Sequence, residues 1–281
     1  LTILFFVLMI LVTLSPGISS AEVKLKFSSW LGMEGASKET LLKMISDFEK
    51  DNPGSKVDLI GIPYEQTQQQ TLIAVAAGNA PDVIQLAAQW AVPLAEMGAI
   101  EDLSTYYSKE EIADIPKAAY DAGVVGDKLV SVPWQLGSIF VLAWKDLLNQ
   151  AGYSAIPDTW EEFRVAVKKI SDFGKDIYGF GARTSKSQNS AFWFFPVMWG
   201  FGGQFEDADG KVVFNNPGTL AAMNWYKEIG TTKQVPVGMD VRETRVLFAK
   251  GKVGFIFDGP WMKGIMRDLS GKGKAIDDKY L

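Results

Sequence analysis

The chain has 281 residues, 47% hydrophobic and 12% aromatic, with a net charge of −5 and neither cysteine nor histidine. An acidic balance with no Lys/Arg stripe excludes a nucleic-acid surface, because phosphate binding requires clustered cations. Lacking both His and Cys, the chain has no Ser-His-Asp triad, thiolate nucleophile, His-ligated zinc site or near-neutral proton shuttle, which leaves only carboxylate, Lys or Tyr chemistry.

At the N-terminus, Ile3 to Leu14 is almost wholly apolar, Ser15-Pro16-Gly17 breaks the run, and Ser19-Ser20-Ala21 supplies small residues before Glu22. This pattern predicts a secretory signal peptide over residues 1–21. The run is too short to span a bilayer, which takes about 20 residues. A signal peptide opens with Met and a basic segment, so the Leu1 start predicts that the beginning of the reading frame is missing. An exported chain without cysteine relies on its core in place of disulfides and lacks the anchored cysteine of a lipoprotein. A freely diffusing periplasmic protein is expected.

Alternation of the remaining segments sets the fold class. Lys24 to Ser28 reads as a strand, and Lys38 to Lys50 as a helix with Leu41, Leu42, Ile45 and Phe48 on one face, stopped by Asn52-Pro53-Gly54. Val57 to Ile60 is a second strand, Glu65 to Ala77 a second helix, and Asp82 to Leu86 a third strand. Short helices follow near Ala91 to Met97 and Glu110 to Ala118. This βαβαβ rhythm implies a parallel sheet covered on both faces. Lys128 to Pro133 is extended, after which the pattern restarts with a strand at Ile139 to Trp144 and a helix at Lys145 to Ala151. Thr159 and Glu162 make a capping box for a helix over Trp160 to Ser171, and Asn216-Pro217 opens a helix running to Lys227. Tyr178 to Ala182 and Val253 to Asp258 complete the strands, the latter preceded by a helix ending at Lys250-Gly251. The expected architecture is α/β with two lobes, each a sheet flanked by helices: residues 22–131, a hinge at 132–136, and 137–281.

Two motif matches dissolve on inspection. Gly-rich stretches at Gly179 and Gly200 to Gly203 lack the spacing of a phosphate loop. Asp207-Ala208-Asp209-Gly210 starts like a calcium loop but lacks the remaining ligands, and a hairpin turn at Asp209-Gly210 between Gln204-Phe205 and Val212 to Phe214 is expected instead.

Open α/β sheets bind ligands beyond the carboxyl ends of their strands. Here those ends carry Ser28-Ser29-Trp30 with Glu34 just beyond, Gln89-Trp90, Trp134-Gln135 and Asp258-Gly259-Pro260-Trp261, while Gln188 to Trp199 adds Trp193, Phe195 and Trp199. Flat rings among amides and carboxylates suit a sugar, whose C–H faces pack on indole and whose hydroxyls need donors and acceptors. Trp30, Trp134, Trp193 and Trp261 are the preferred ring contacts. Trp90 fits a helix core face with Leu94 and Met97, Trp144, Trp160 and Trp225 are assigned to the core or to helix faces, and Asp82 is read as a capping carboxylate. Gln68, Gln69 and Gln70 read as a solvated helix face, with Gln66 early enough to reach a ligand.

Gly78-Asn79-Ala80-Pro81-Asp82-Val83-Ile84, Val132-Pro133-Trp134, Lys145-Asp146-Leu147-Leu148, Pro157-Asp158-Thr159-Trp160-Glu161-Glu162-Phe163, Gly202-Gly203, and Phe248-Ala249-Lys250-Gly251-Lys252-Val253 leading to Gly259-Pro260-Trp261 occur in this order along the chain. In these segments the chain resembles the family 1 extracellular solute-binding proteins of bacterial ABC sugar importers, the maltose-binding-like group. The resemblance implies a two-lobed binding protein, expected to be monomeric and without cofactor, that closes on a mono- or oligosaccharide and delivers it to ABC permease membrane subunits. It places ligand contacts at Trp30, Gln89, Trp134, Trp193, Trp199, Gly203 and Trp261, with Glu34, Gln66, Gln135 and Asp258 as polar candidates. Gln135 stands where members often carry Asp. Members also continue well past the Gly-Pro-Trp segment, so the resemblance implies a C-terminally truncated chain whose first lobe leaves apolar faces uncovered. Two alternatives stay open: a glycoside hydrolase using Glu34 with Asp258, and a binding protein for a polyamine or for a phosphate ester, the latter held by Arg183.

Overall fold

A computed structural model of the protein describes residues 22–281, apart from the side chains of Ala36, Gln188 and Asn189. The expected signal peptide, residues 1–21, lies outside the described residues. The chain divides into two compact units, residues up to 33 with 37–87, and residues 34–36 with 88–281. The stretch 88–131, which the sequence assigns to the first lobe, and the expected hinge at 132–136 both fall within the second unit.

In the first unit, β1 (Val23–Ser29) pairs in parallel with β2 (Ser55–Gly61) and β3 (Val83–Ile84), giving the order β2-β1-β3. Helices α1 (Gly35–Asp51) and α2 (Tyr64–Ala76) are the crossovers, as parallel pairing requires. The sequence expects a longer third strand; only Val83 and Ile84 are in register with β1, flanked by the Asp82 and Gln85 amides, which donate to Lys26 O and Ser28 O, while Asp82 Oδ2 accepts the Lys26 amide at 2.7 Å. Covering of the sheet is partial. Leu41 is buried, yet Leu42, Met44 and Phe48 on α1, Ile73 on α2 and Val83 on β3 are exposed.

The second unit begins with α3 (Ala88–Glu96), α4 (Lys109–Asp114) and α5 (Lys117–Ala122), followed by the two-residue hairpin strands β4 (Val124–Val125) and β5 (Lys128–Leu129). A single helix over 110–118 is expected from the sequence. Pro116 breaks it, since a residue before proline avoids the helical region, and Ile115 indeed sits extended at φ −74° and ψ 127°.

Its main sheet has β8 (Val253–Asp258) at the centre, antiparallel to β6 (Phe140–Ala143) and parallel to β7 (Tyr178–Phe180). Every residue of β8 is buried, which explains its uninterrupted apolar run. Helix α6 (Lys145–Gln150) follows β6, and α7 (Trp160–Ser171) lays Phe163, Ala166, Val167 and Ile170 against the sheet. The spacing of those four is the i, i+3, i+4, i+7 stripe of an amphipathic helix. Thr159 Oγ1 accepts the Glu162 amide at 3.2 Å, the forward half of the expected capping box. Complete boxes form instead at Ser108 with Glu111 and at Asp240 with Glu243.

Two further helices, α8 (Gln188–Gly200) and α9 (Pro217–Thr231), flank the hairpin read from Asp209-Gly210. Glu206 bridges Val212 antiparallel, and Gly210 takes the left-handed φ of +74° that this turn requires. Asn216 ties hairpin to helix. Its Oδ1 accepts the Thr219 amide at 2.9 Å as the N-cap of α9, while its Nδ2 donates to Gln204 O at 2.9 Å and Val213 O at 2.8 Å. Asn216→Ala is expected to cost about 1–2 kcal/mol, the upper range for a lost cap. Faster amide exchange across 204–214, measured beside the melting temperature, checks that the hairpin loosens with the cap.

Candidate ligand-binding site

In the first unit the carboxyl end of β1 turns directly into a 3-10 segment, Trp30–Met33. Ser29 Oγ donates to Gln85 Oε1 at 2.6 Å and accepts the Leu31 amide at 3.1 Å, which fixes the turn. Trp30 is thereby presented half-buried, edge to face with Tyr64 at 5.2 Å. Gln66 is exposed on α2 with its Oε1 accepting from Gln70 Nε2 at 2.6 Å. Sequence reading overlooked Gln85. Its signal was position, an amide at the end of β3 beside the serine that ends β1.

In the second unit the chemistry gathers at the carboxyl end of β8. Asp258 is 0% exposed. Its Oδ2 accepts from Arg183 Nη2 at 2.8 Å and Arg245 Nε at 2.8 Å. Its Oδ1 accepts from Arg245 Nη2 at 2.8 Å, the Gly259 amide at 2.9 Å and Trp261 Nε1 at 2.5 Å. The Arg245 contact is the bidentate fork that guanidinium geometry favours. Arg183 lies 3.4 Å from the ring centre of Trp193, so its charge also rests on an aromatic face. Burial alone pushes the Asp258 carboxyl up, but the charge and hydrogen bonds of Arg245, with the charge of Arg183, outweigh it and hold the group below the usual carboxylate range.

This cluster brings together three of the expected site residues, Trp193, Asp258 and Trp261, and gives Asp258 a different task. A carboxylate already accepting five donors has no capacity left for a ligand hydroxyl. It organises its neighbours. The apolar strand ending in a single Asp was a usable signal, because a buried charge demands a cationic partner, but nothing local in the sequence selects Arg183 and Arg245.

The other expected residues are spread. Trp199 is 60% exposed and packs near Phe195 at 6.0 Å. Six residues at ~100° each carry it about 240° around the helix from Trp193, so the aromatic run of α8 does not present one face. Gly203 is buried. A Cβ there would meet Met198 Cγ at 2.6 Å and the Thr219 amide nitrogen at 2.7 Å, so this glycine permits close approach of α9. Trp134 is 42% exposed, Gln89 and Gln135 are exposed, and Glu34 is half-buried. Trp90, Trp144 and Trp225 are buried in the interior, as the sequence implies.

Beside the cluster of Ser185, Ser187, Ser190 and Asp240, whose carboxylate Oδ2 accepts from Ser185 Oγ at 2.8 Å and Ser187 Oγ at 2.9 Å, opens a cavity of about 720 Å³. Phe194, Phe195, Phe205, Phe214 and Tyr226 wall it. Among its described lining residues the polar groups are the hydroxyls of Ser185, Ser187, Ser190 and Tyr226 and the Lys186 ammonium, with no amide or carboxylate side chain.

Residues 34–280 match the family described as bacterial extracellular solute-binding protein. A putative binding protein of Brucella abortus is 23% identical over 261 residues, covering 92% of this chain and 62% of the relative. The diacetylchitobiose binding protein DasA of Streptomyces coelicolor is 26% identical over 238 residues, covering 82% of this chain and 54% of its own length. Among solved structures, an ABC transporter solute-binding protein of Thermotoga lettingae bound with α-D-tagatose superposes at a TM-score of 0.81 with 22% identity, over 92% of this chain and 67% of that one. Maltose-bound MalE3 of T. maritima gives 0.77 with 28% identity, over 92% and 66%. The chain thus spans about three-fifths of the length of the first curated relative, and the solved structures share its fold. On the match across nearly all of its described residues, the chain belongs to the bacterial extracellular solute-binding protein family.

Proposed function

We propose that the protein captures a mono- or oligosaccharide and hands it to the membrane subunits of an ABC importer, without catalysing a reaction on it. The observation that carries this reading is Trp261, an indole 40% exposed whose ring nitrogen is tied to a buried carboxylate. A ring held at one edge with open surface suits stacking on the C–H face of a sugar. Relatives named for diacetylchitobiose and maltotriose, and structures bound with tagatose and maltose, support the ligand class. Trp30, Trp134 and Trp199 are further ring candidates, with Glu34, Gln66, Gln89 and Gln135 as hydroxyl partners.

Neither the glycosidase nor the phosphate-ester alternative gains support from the geometry. A glycosidase acid needs a carboxyl whose pKa is raised, whereas Asp258 is saturated with donors and held low. Arg183 is 3% exposed and engaged by Asp258 and the Trp193 face, a poor arrangement for taking a phosphate.

Titrating maltotriose, N,N′-diacetylchitobiose, D-tagatose and D-mannitol by calorimetry tests the reading. Saturable binding of at least one is expected, with no release of reducing ends. Trp261→Ala is expected to weaken it about tenfold, the worth of roughly 1–1.5 kcal/mol from one lost aromatic stack. No heat and no thermal shift from any of the four would sink the proposal.

A further inference from the structure

Trp261 is constrained from more than one side. Its Nε1 donates to Asp258 Oδ1 at 2.5 Å. Its six-membered ring lies so close over Gly259 that a Cβ on that residue would sit 2.4 Å from Cη2 and Cζ2. At Gly137 a Cβ would come within 2.9 Å of Cζ3. Gly259 is not in the left-handed region, so its role is the space it leaves and not the backbone angle it allows. Asp258 in turn cannot swing with the indole, because Arg183, Arg245 and the Gly259 amide hold its two oxygens.

We infer that Asp258 and Gly259 are positioning residues that lock the indole of Trp261 in one orientation before ligand arrives, so that it serves as a rigid stacking platform. The inference rests on the saccharide-binding reading for its functional consequence, and on geometry alone for the locked ring. A pre-set ring loses no rotamer freedom on binding, which is how preorganisation raises affinity. The carboxylate touches the platform and not the sugar.

Gly259→Ala is the sharper test, since removing Asp258 also strips the counter-ion from two arginines. The methyl group displaces the ring while leaving the charges alone. Wild type, Gly259→Ala, Trp261→Phe and the double variant of the full chain are compared in two ways. Without ligand, near-ultraviolet circular dichroism reads how asymmetrically Trp261 is held, its band being the difference between wild type and Trp261→Phe. Gly259→Ala is expected to abolish that band with far-ultraviolet signal and melting temperature nearly unchanged. With maltotriose, N,N′-diacetylchitobiose, D-tagatose or D-mannitol, whichever binds wild type, Gly259→Ala is expected to weaken affinity about tenfold, and to add nothing in the Trp261→Phe background. An unchanged Trp261 band in Gly259→Ala, or the same loss of affinity in both backgrounds, overturns the inference. Should none of the four probes bind wild type, the saccharide reading fails by itself, and the ligand-free band still decides whether the ring is locked.

Discussion

Asp258→Ala is expected to lower stability by about 3–5 kcal/mol, because the substitution leaves Arg183 and Arg245 as buried charges facing an apolar methyl. In a unit of this size that corresponds to a fall in melting temperature of roughly 10 °C. The side chain of Arg183 is 1% exposed and that of Arg245 13%, so Arg245→Ala should be the milder of the two arginine removals: its site can admit water. A pH series adds an independent check. The native carboxyl sits below its ordinary value, so the unfolded chain binds this proton first as pH falls. Its stabilisation is therefore complete above the unfolded carboxylate pKa of about 4 and is lost only as pH drops through the lower folded value. The stability gap between wild type and Asp258→Asn should stay constant from pH 8 to about pH 4.5 and shrink below. A gap that closes near pH 6, or a cost under about 1 kcal/mol for Asp258→Ala, would contradict the buried pairing.

Gly179→Ala is expected to be almost as damaging for a reason that has nothing to do with charge. A Cβ at this position in β7 would lie 1.9 Å from Val167 O and 2.5 Å from its carbonyl carbon, so the obstacle is helix backbone. The contact is already pinned, since Ser171 Oγ donates to Val167 O at 2.9 Å and accepts the Gly179 amide at 2.9 Å. Relieving the overlap means lifting α7 off the sheet, which pulls Phe163, Ala166, Val167 and Ile170 out of contact together. Overpacking of this kind costs about 3 kcal/mol, the upper end for an inserted methylene. The midpoint of denaturant unfolding measures it, and a shift under about 1 kcal/mol would show that the helix slides more freely than the packing implies.

The order of strands and helices was legible where hydrophobic period and punctuation agreed. Val253 to Asp258 and Trp160 to Ser171 were bounded to the residue, the first by Gly251 and Gly259, the second by Thr159 and the change in pattern after Ser171. Reading failed where a local feature overrode the period, as Pro116 did in cutting one helix into two. It also did not reach the pairing in the second sheet. The antiparallel entry of β6 beside β8 depends on which strands meet in space, and an apolar run looks the same in either direction.

The site was half legible for a similar reason. Residue types named side chains able to stack on or bind a sugar, and the strand-end rule pointed to the end of β8, where Trp193, Asp258 and Trp261 gather. What the sequence could not show is that Asp258 spends its oxygens on Arg183 and Arg245 as well as on its neighbours Gly259 and Trp261, because the two arginines lie 75 and 13 residues away. In the aromatic stretch of α8, neighbours in sequence do not share a face: Trp193 is buried and Trp199 exposed.

The nine tryptophans fall into distinct environments, and this has a practical consequence. Trp90, Trp144, Trp193 and Trp225 are sealed from water, whereas Trp134, Trp199 and Trp261 are open to it. With Trp30 and Trp160 half-buried between these groups, a collisional quencher such as iodide reaches the second group most readily, so a Stern–Volmer plot of total emission should curve downward toward a plateau. The inaccessible fraction would dominate the blue side of the spectrum, and any saccharide shielding an open indole would flatten the initial slope and lower the plateau, because the quenchable fraction falls.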